Sequence, residues 1–163
     1  MLINKKNKGF LILDQFIFRC AIGKNGIKLN KKEGDGTTPL GKFTLGKLYY
    51  RKDRVKKPIT QIPTRIIKKG MGWCDDPHSK HYNREVLINK KIKCEKFFRK
   101  DHSYDYLIVI NYNMKRIKLN IGSAIFIHLT ENYKPTAGCI ALKKKDFLIL
   151  IKLINKRTCI KIY

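Results

Sequence analysis

The chain lacks any apolar stretch approaching the ~20 residues a helix needs to span a bilayer. Acidic residues are scarce: 12 Asp and Glu stand against 37 Lys and Arg, a net charge of +25 across 163 residues. Arginine is scarce as well, with 29 Lys to 8 Arg. Combined with abundant Ile and Asn, that ratio is the mark of an AT-rich coding sequence. The charges form no block. They recur as pairs and triplets such as Lys56-Lys57, Lys68-Lys69 and Lys143-Lys144-Lys145 between apolar runs, which is how solvated loops read. No internal repeat, Ser/Pro-rich linker or low-complexity tract divides the chain, so residues 1–163 read as a single domain. The basic start from Met1 to Lys8 is followed by only four apolar residues, Phe10 to Leu13, before Asp14 and Arg19. A secretory h-region needs ~7–15, so no signal peptide is expected from these residues.

What remains is enough for one ordinary core: hydrophobic residues make up 43%, well above the range of disordered chains. Short apolar runs separated by turn residues predict a mostly-β domain. Strands are expected at Phe10–Leu13, Phe16–Ile22, Phe43–Tyr50, Glu85–Ile88, Tyr106–Tyr112, Ile117–Asn120, Ala124–Leu129 and Cys159–Tyr163. The continuous run Tyr106-Leu107-Ile108-Val109-Ile110 reads as a central strand. Asn30 to Gly41 reads as a loop, with two Gly and a Pro close together, and Ile62 to Asp76 as irregular chain holding the only Trp, Trp73. One helix is expected over Asp146 to Ile154, where Phe147, Leu150, Ile151 and Ile154 form an i, i+3, i+4, i+7 stripe. Leu148, Ile149 and Leu153 flank that stripe and predict burial on more than one face.

Five cysteines, Cys20, Cys74, Cys94, Cys139 and Cys159, leave at least one thiol free unless two chains pair. Cys20 and Cys159 sit in apolar strands and read as inert filler. Cys139 differs. It follows directly on Pro135-Thr136-Ala137-Gly138, with ten residues between it and His128 at the end of an apolar strand. A thiol nucleophile needs a base to take its proton, and imidazole is the usual one. Gly138 lets backbone approach a substrate and frees N–H groups for an oxyanion. Thr136 can fix the turn through its hydroxyl. A Cys139–His128 dyad is therefore the leading catalytic candidate, and Cys139 is expected to be the most reactive thiol.

Ile127-His128 followed by Thr136-Ala137-Gly138-Cys139 resembles the catalytic signature of the L,D-transpeptidase (YkuD, or ErfK/YbiS/YcfS/YnhG) family. Gly34-Asp35-Gly36-Thr37-Thr38-Pro39-Leu40-Gly41 resembles that family's early loop. Gly72-Trp73-Cys74-Asp75-Asp76-Pro77, Tyr82-Asn83-Arg84, Tyr104-Asp105-Tyr106 and Gly122-Ser123-Ala124-Ile125-Phe126 resemble one subgroup. The likeness runs from about Cys20 to Tyr163. It implies a mostly-β sandwich or barrel-like fold with one or two short helices. It implies a Cys139 nucleophile, a His128 base and an oxyanion site formed by N–H groups near Gly138 and Cys139. The implied activity needs no cofactor or metal: a stem-peptide amide of peptidoglycan is opened through a thioester, then passed to an amine, or to water in a carboxypeptidase. The partners so implied are stem peptides and the anionic cell wall, with a monomer acting in the periplasm or on the cell-wall side. The commoner family pattern carries His and Arg where this chain has Ala137 and Ala141. Substrate contacts are then expected from Trp73, Tyr82, Asn83, Arg84 or Arg99.

Two other classes remain open from the residues. Cys74, His78 and His81 have a Cys-x3-His-x2-His spacing that could serve zinc, although three ligands fall short of a structural site. The positive charge would suit nucleic acid, but no zinc-finger, RRM or KH signature is present, and no nucleic-acid partner is expected.

Overall fold

The computed structural model describes residues 2–5, 8–89 and 92–163. Along these residues the chain forms β1 (Leu2–Lys5), β2 (Lys8–Leu13), β3 (Phe16–Ala21), β4 (Ile27–Lys28), β5 (Thr38–Pro39), β6 (Gly41–Tyr50) and β7 (Thr64–Ile66). There follow β8 (Met71–Cys74), β9 (Glu85–Leu87), β10 (Cys94–Lys96), β11 (Tyr106–Ile110), β12 (Phe126–Leu129) and β13 (Ile140–Leu142). The chain closes with helix α1 (Lys144–Leu153) and β14 (Cys159–Ile162). The fold is mostly β with one short helix, as the apolar patterning predicts.

The largest sheet has the order β11-β12-β13-β3-β2-β1-β14-β6-β7, and β11 also pairs with β6. The sheet therefore curls strongly. It is not a closed barrel: β1 and β14 share the single registered pair Leu2↔Ile162. A three-stranded sheet, β10-β8-β9, and the short pair β4-β5 complete the architecture.

The run at Tyr106–Ile110 is buried along its whole length and flanked by β12 and β6. Period-two alternation explains why it is apolar throughout. Tyr106, Ile108 and Ile110 face one core, shared with Ile127 and Leu129 of β12 and with Phe147, Leu150 and Ile151 of α1. Leu107 and Val109 face a second core, shared with Phe126 and with Met71 and Trp73 of the small sheet. Each such fully buried side chain contributes about 1.5–3 kcal/mol.

Four expectations need correction. Residues 62–76 are not irregular throughout, because β7 and β8 form there. Ile117–Asn120 is not a strand: Asn113 mimics a strand partner, donating Nδ2–H to Lys118 O and accepting from Lys118 N–H, both at 2.8 Å. Asn113 and Asn120 both adopt positive φ there, and Leu119 is exposed. The helix buries only one face, since Ile149 and Leu153 are exposed. Cys159 is also exposed, because β14 alternates outward at that position.

Candidate active site

Alternation along β12 orients the histidine. Ile127 and Leu129 enter the helix-side core, so Phe126 and His128 face the other way. Phe126 packs edge-on against Trp73, Phe97 and Tyr104. The His128 ring lies 5.3 Å from the Tyr104 ring. His128 Nδ1 sits 2.9 Å from Leu129 O. A carbonyl can only accept, so Nδ1 carries the proton and Nε2 keeps its lone pair.

β13 runs parallel to β12 with Ala141 opposite His128. Cys139 stands one residue before β13, on the same face as Ala141. From strand spacing and rise, its Cα lies about 8 Å from that of His128, a span two side chains can bridge. Cys139 and His128 line one cavity of about 890 Å³, together with Thr136, Gly138, Arg99 and Ala141. Ten intervening residues thus return the chain beside the strand that carries His128.

The Cys139 turn is locked by the hydroxyls of two threonines. Thr136 Oγ1 donates to Cys139 O at 2.6 Å and accepts from Gly138 N–H at 3.1 Å. Thr38 Oγ1 donates to Gly138 O at 2.9 Å while accepting from Gly23 N–H at 2.8 Å. The early glycine-rich loop is therefore part of the site. Gly138 has φ +146°, and a Cβ there would stand 2.7 Å from Thr37 O, so only glycine fits without moving that backbone.

The thiol itself donates to Ala124 O at 3.3 Å and receives Phe126 N–H at 3.4 Å. Among the hydrogen bonds of the described residues, none joins it to His128. Burial pushes the Cys139 thiol from 9.0 up to about 12, against the smaller opposing effect of the Phe126 N–H. Burial likewise pushes His128 from 6.5 down to about 4, partly offset by its bond to Leu129 O. The resting pair is therefore a neutral thiol and a neutral imidazole rather than an ion pair.

That electrostatic state leads to a testable order of thiol reactivity. A thiol pushed up from 9.0 to about 12 is ionised about 10³-fold less near neutral pH. Exposed Cys159 is expected to alkylate first at pH 7–8. Cys139 labelling should climb tenfold per pH unit through pH 10. Time-resolved iodoacetamide labelling with peptide mapping checks this. Cys139 labelled ahead of Cys159 at pH 7 would show that the thiol is ionised at rest.

The other residues singled out from sequence fall into two groups. Arg99 lines the cavity, but its guanidinium already meets Glu95 at 2.9 Å and Asp101 at 2.8 Å. Trp73, Tyr82 and Asn83 are buried and lie outside the cavity lining. Asn83 Oδ1 accepts from Trp73 Nε1 at 2.9 Å and from Ala124 N–H at 3.2 Å, so these residues hold the segment whose carbonyl touches the thiol. Tyr82 donates to Glu33 and accepts from Gly122 N–H. Arg84 is exposed and outside the cavity lining. Cys74, His78 and His81 do not form a metal-holding cluster; none is found among the described residues.

Sequence reasoning missed Lys31, Asp35, Glu95 and Ala124. Lys31 is buried and pairs with Asp35 at 2.7 Å. Burial opposes ionisation of Asp35, yet bonds from Lys31, Lys32 N–H and Thr37 hold its carboxyl well below the usual range. The Asp35 in the glycine-rich loop was the available signal. Lys31, in a chain with so many lysines, offered none. The cavity is also acid-rich: six of the 12 Asp and Glu line it, against four of the 37 Lys and Arg. The interior of the site thus has the opposite character to the surface.

The match to a known family comes on top of this geometry. The L,D-transpeptidase catalytic domain model, YkuD, matches residues 2–162. The chain belongs to that family. The activity class is therefore that of an L,D-transpeptidase-type enzyme with a peptidoglycan-related role, and its substrate lies outside the cytoplasm. Searches of curated proteins and of solved structures returned no match. Among the described residues no helix is long and apolar enough to cross a membrane.

Proposed function

We propose that this protein is a peptidoglycan L,D-transpeptidase in which Cys139 is the nucleophile and His128 its base. The supporting observation is the shared cavity face of these two residues, with His128 Nε2 unprotonated and the Cys139 turn locked by Thr136 and Thr38. Substrate entry turns the Cys139 S–H from Ala124 O toward the imidazole. Sγ then bonds to the carbonyl carbon of a stem-peptide amide as the proton passes to Nε2. Gly138 N–H is already committed to Thr136 Oγ1, so the Cys139 N–H is the donor for the oxyanion. Collapse breaks the C–N bond, and His128 returns the proton to the departing amine, leaving a thioester. An amine of a second stem attacks the thioester, loses its proton to His128 and restores the thiol.

Water in place of the amine would give an L,D-carboxypeptidase. The acid-rich lining favours an amine, because carboxylates attract an ammonium-bearing acceptor and raise its local concentration. Neither reaction calls on a cofactor or metal, and the basic exterior suits an anionic cell wall. Incubation with purified tetrapeptide stems and mass analysis of products is the test. Cross-linked dimers are expected alongside released D-amino acid. Tripeptide alone would identify water as the acceptor, and unchanged stems would overturn the assignment.

A further inference from the structure

Outside the catalytic cavity, the small sheet places two cysteines against each other. Cys74 on β8 and Cys94 on β10 are registered partners across an antiparallel pair. Which kind of pair they form can be read from the backbone. Cys74 N–H donates to Arg84 O and Cys74 O accepts from Asn83 N–H, both at 2.8 Å, so both its backbone groups point away from β10. Phe97 N–H donates to Met71 O at 3.0 Å, which fixes the alternation: odd residues of β8 bond toward β10, and even ones away from it. Cys74 and Cys94 are therefore a non-hydrogen-bonded pair. In such pairs the Cα atoms approach to about 4.5 Å and the side chains lean together on one face. A disulfide needs a Cα separation of about 4.4–6.8 Å. A Cβ built at Gly72 would meet Cys94 Sγ at 3.2 Å, so that sulfur lies over β8, on the face where Cys74 also points.

We propose that Cys74 and Cys94 are a site of oxidation to an intramolecular disulfide that ties β8 to β10. The oxidant is a disulfide-bearing thiol reagent or oxidoreductase. Cys94 is half-buried and Cys74 fully buried, so the order of events follows from access. The Cys94 thiolate attacks the oxidant's S–S bond and releases one thiol. The Cys74 thiolate then attacks Cys94 Sγ in the mixed disulfide and releases the second. Two electrons pass to the oxidant and two protons leave the protein thiols. The extracytoplasmic setting of the family is one where such bonds persist. The bond also bears on the cavity. Asp75 follows Cys74, Glu95 follows Cys94, and both line the cavity wall. Tying their strands fixes that wall without touching Cys139 or His128.

The test is incubation of the full chain with oxidised glutathione, alkylation of remaining thiols, and non-reducing peptide mapping. A Cys74–Cys94 linked peptide is expected, with exposed Cys159 recovered alkylated or bearing glutathione and Cys139 linked to no other cysteine. The melting temperature of the parent should rise on the order of 5–10 °C on oxidation, as for a ~20-residue closed loop. Cys94→Ser, at the half-buried position, should show no such rise. Two outcomes would overturn the proposal: both cysteines recovered alkylated, or Cys94 linked only to glutathione or to another cysteine. An equal rise in Cys94→Ser would do the same, since the gain would then come from elsewhere.

Discussion

Cys139→Ala is expected to leave a folded protein with no measurable turnover, a loss on the order of 10⁴–10⁶-fold. Removing Sγ deletes the atom to which the proposed mechanism assigns the thioester. Folding should survive, because Cys139 sits at the edge of the second core rather than within it and the turn is held by Thr136 and Thr38 through backbone atoms. The same variant decides the covalent chemistry. A carbapenem presents a strained amide carbonyl to the same thiol, so intact-mass analysis should give one adduct on the parent and none on the variant. The absence of arginine at Ala141, with Arg99 bound to two carboxylates, weakens affinity for the drug's carboxylate and should call for excess drug. An equal adduct on Cys139→Ala would mean that another nucleophile reacts.

His128→Ala should cost on the order of 10²–10⁴-fold in kcat/KM, with folding retained. The pH profile carries a sharper signature. In the proposed mechanism His128 acts as the base in its neutral form, and burial holds it down to about 4, so the acidic limb of the parent profile is expected near pH 4 rather than near 6.5. The sign for stability follows the same shift. The unfolded chain binds the proton below about 6.5, whereas the folded chain resists it until about 4. This contribution to stability is therefore complete above pH 6.5 and lost as the pH falls through 4. A denaturant series across pH 4–7 should show that decline in the parent and a flatter response in His128→Ala. An acidic limb near 6.5 would show that burial does not hold the imidazole down. Near-full activity in the variant would remove His128 from the mechanism.

Much of the site was legible because its signals are local. Gly138-Cys139 after a Pro-initiated turn, and His128 closing an apolar strand, suggest a candidate pair by residue type, and the resemblance to the family's ordered motifs is what singles it out. The substrate residues were less legible. Trp73, Tyr82 and Asn83 carry the polar and aromatic groups that bind ligands elsewhere, but here those groups face one another and the 122–124 segment. Sequence gives a side chain's capability and not its direction. The strand expected at Ile117–Asn120 failed for a related reason: Asn113 supplies from its side chain the bonds a neighbouring strand would have made.

The sequence by itself determined the β-rich class, the central position of Tyr106–Ile110 and the single helix, and it singled out Cys139 and His128 as the candidate pair. All of these follow from periodicity or from chemistry within a few neighbouring residues. Only the tertiary structure decided the rest. It set the neutral resting state of Cys139 and His128, because desolvation depends on what packs around a group and not on its neighbours in the chain. It brought Thr38 to Gly138 across one hundred residues and gathered half of the few acidic side chains around one cavity. It also set Cys74 opposite Cys94, because strand register is fixed by pairing between distant segments.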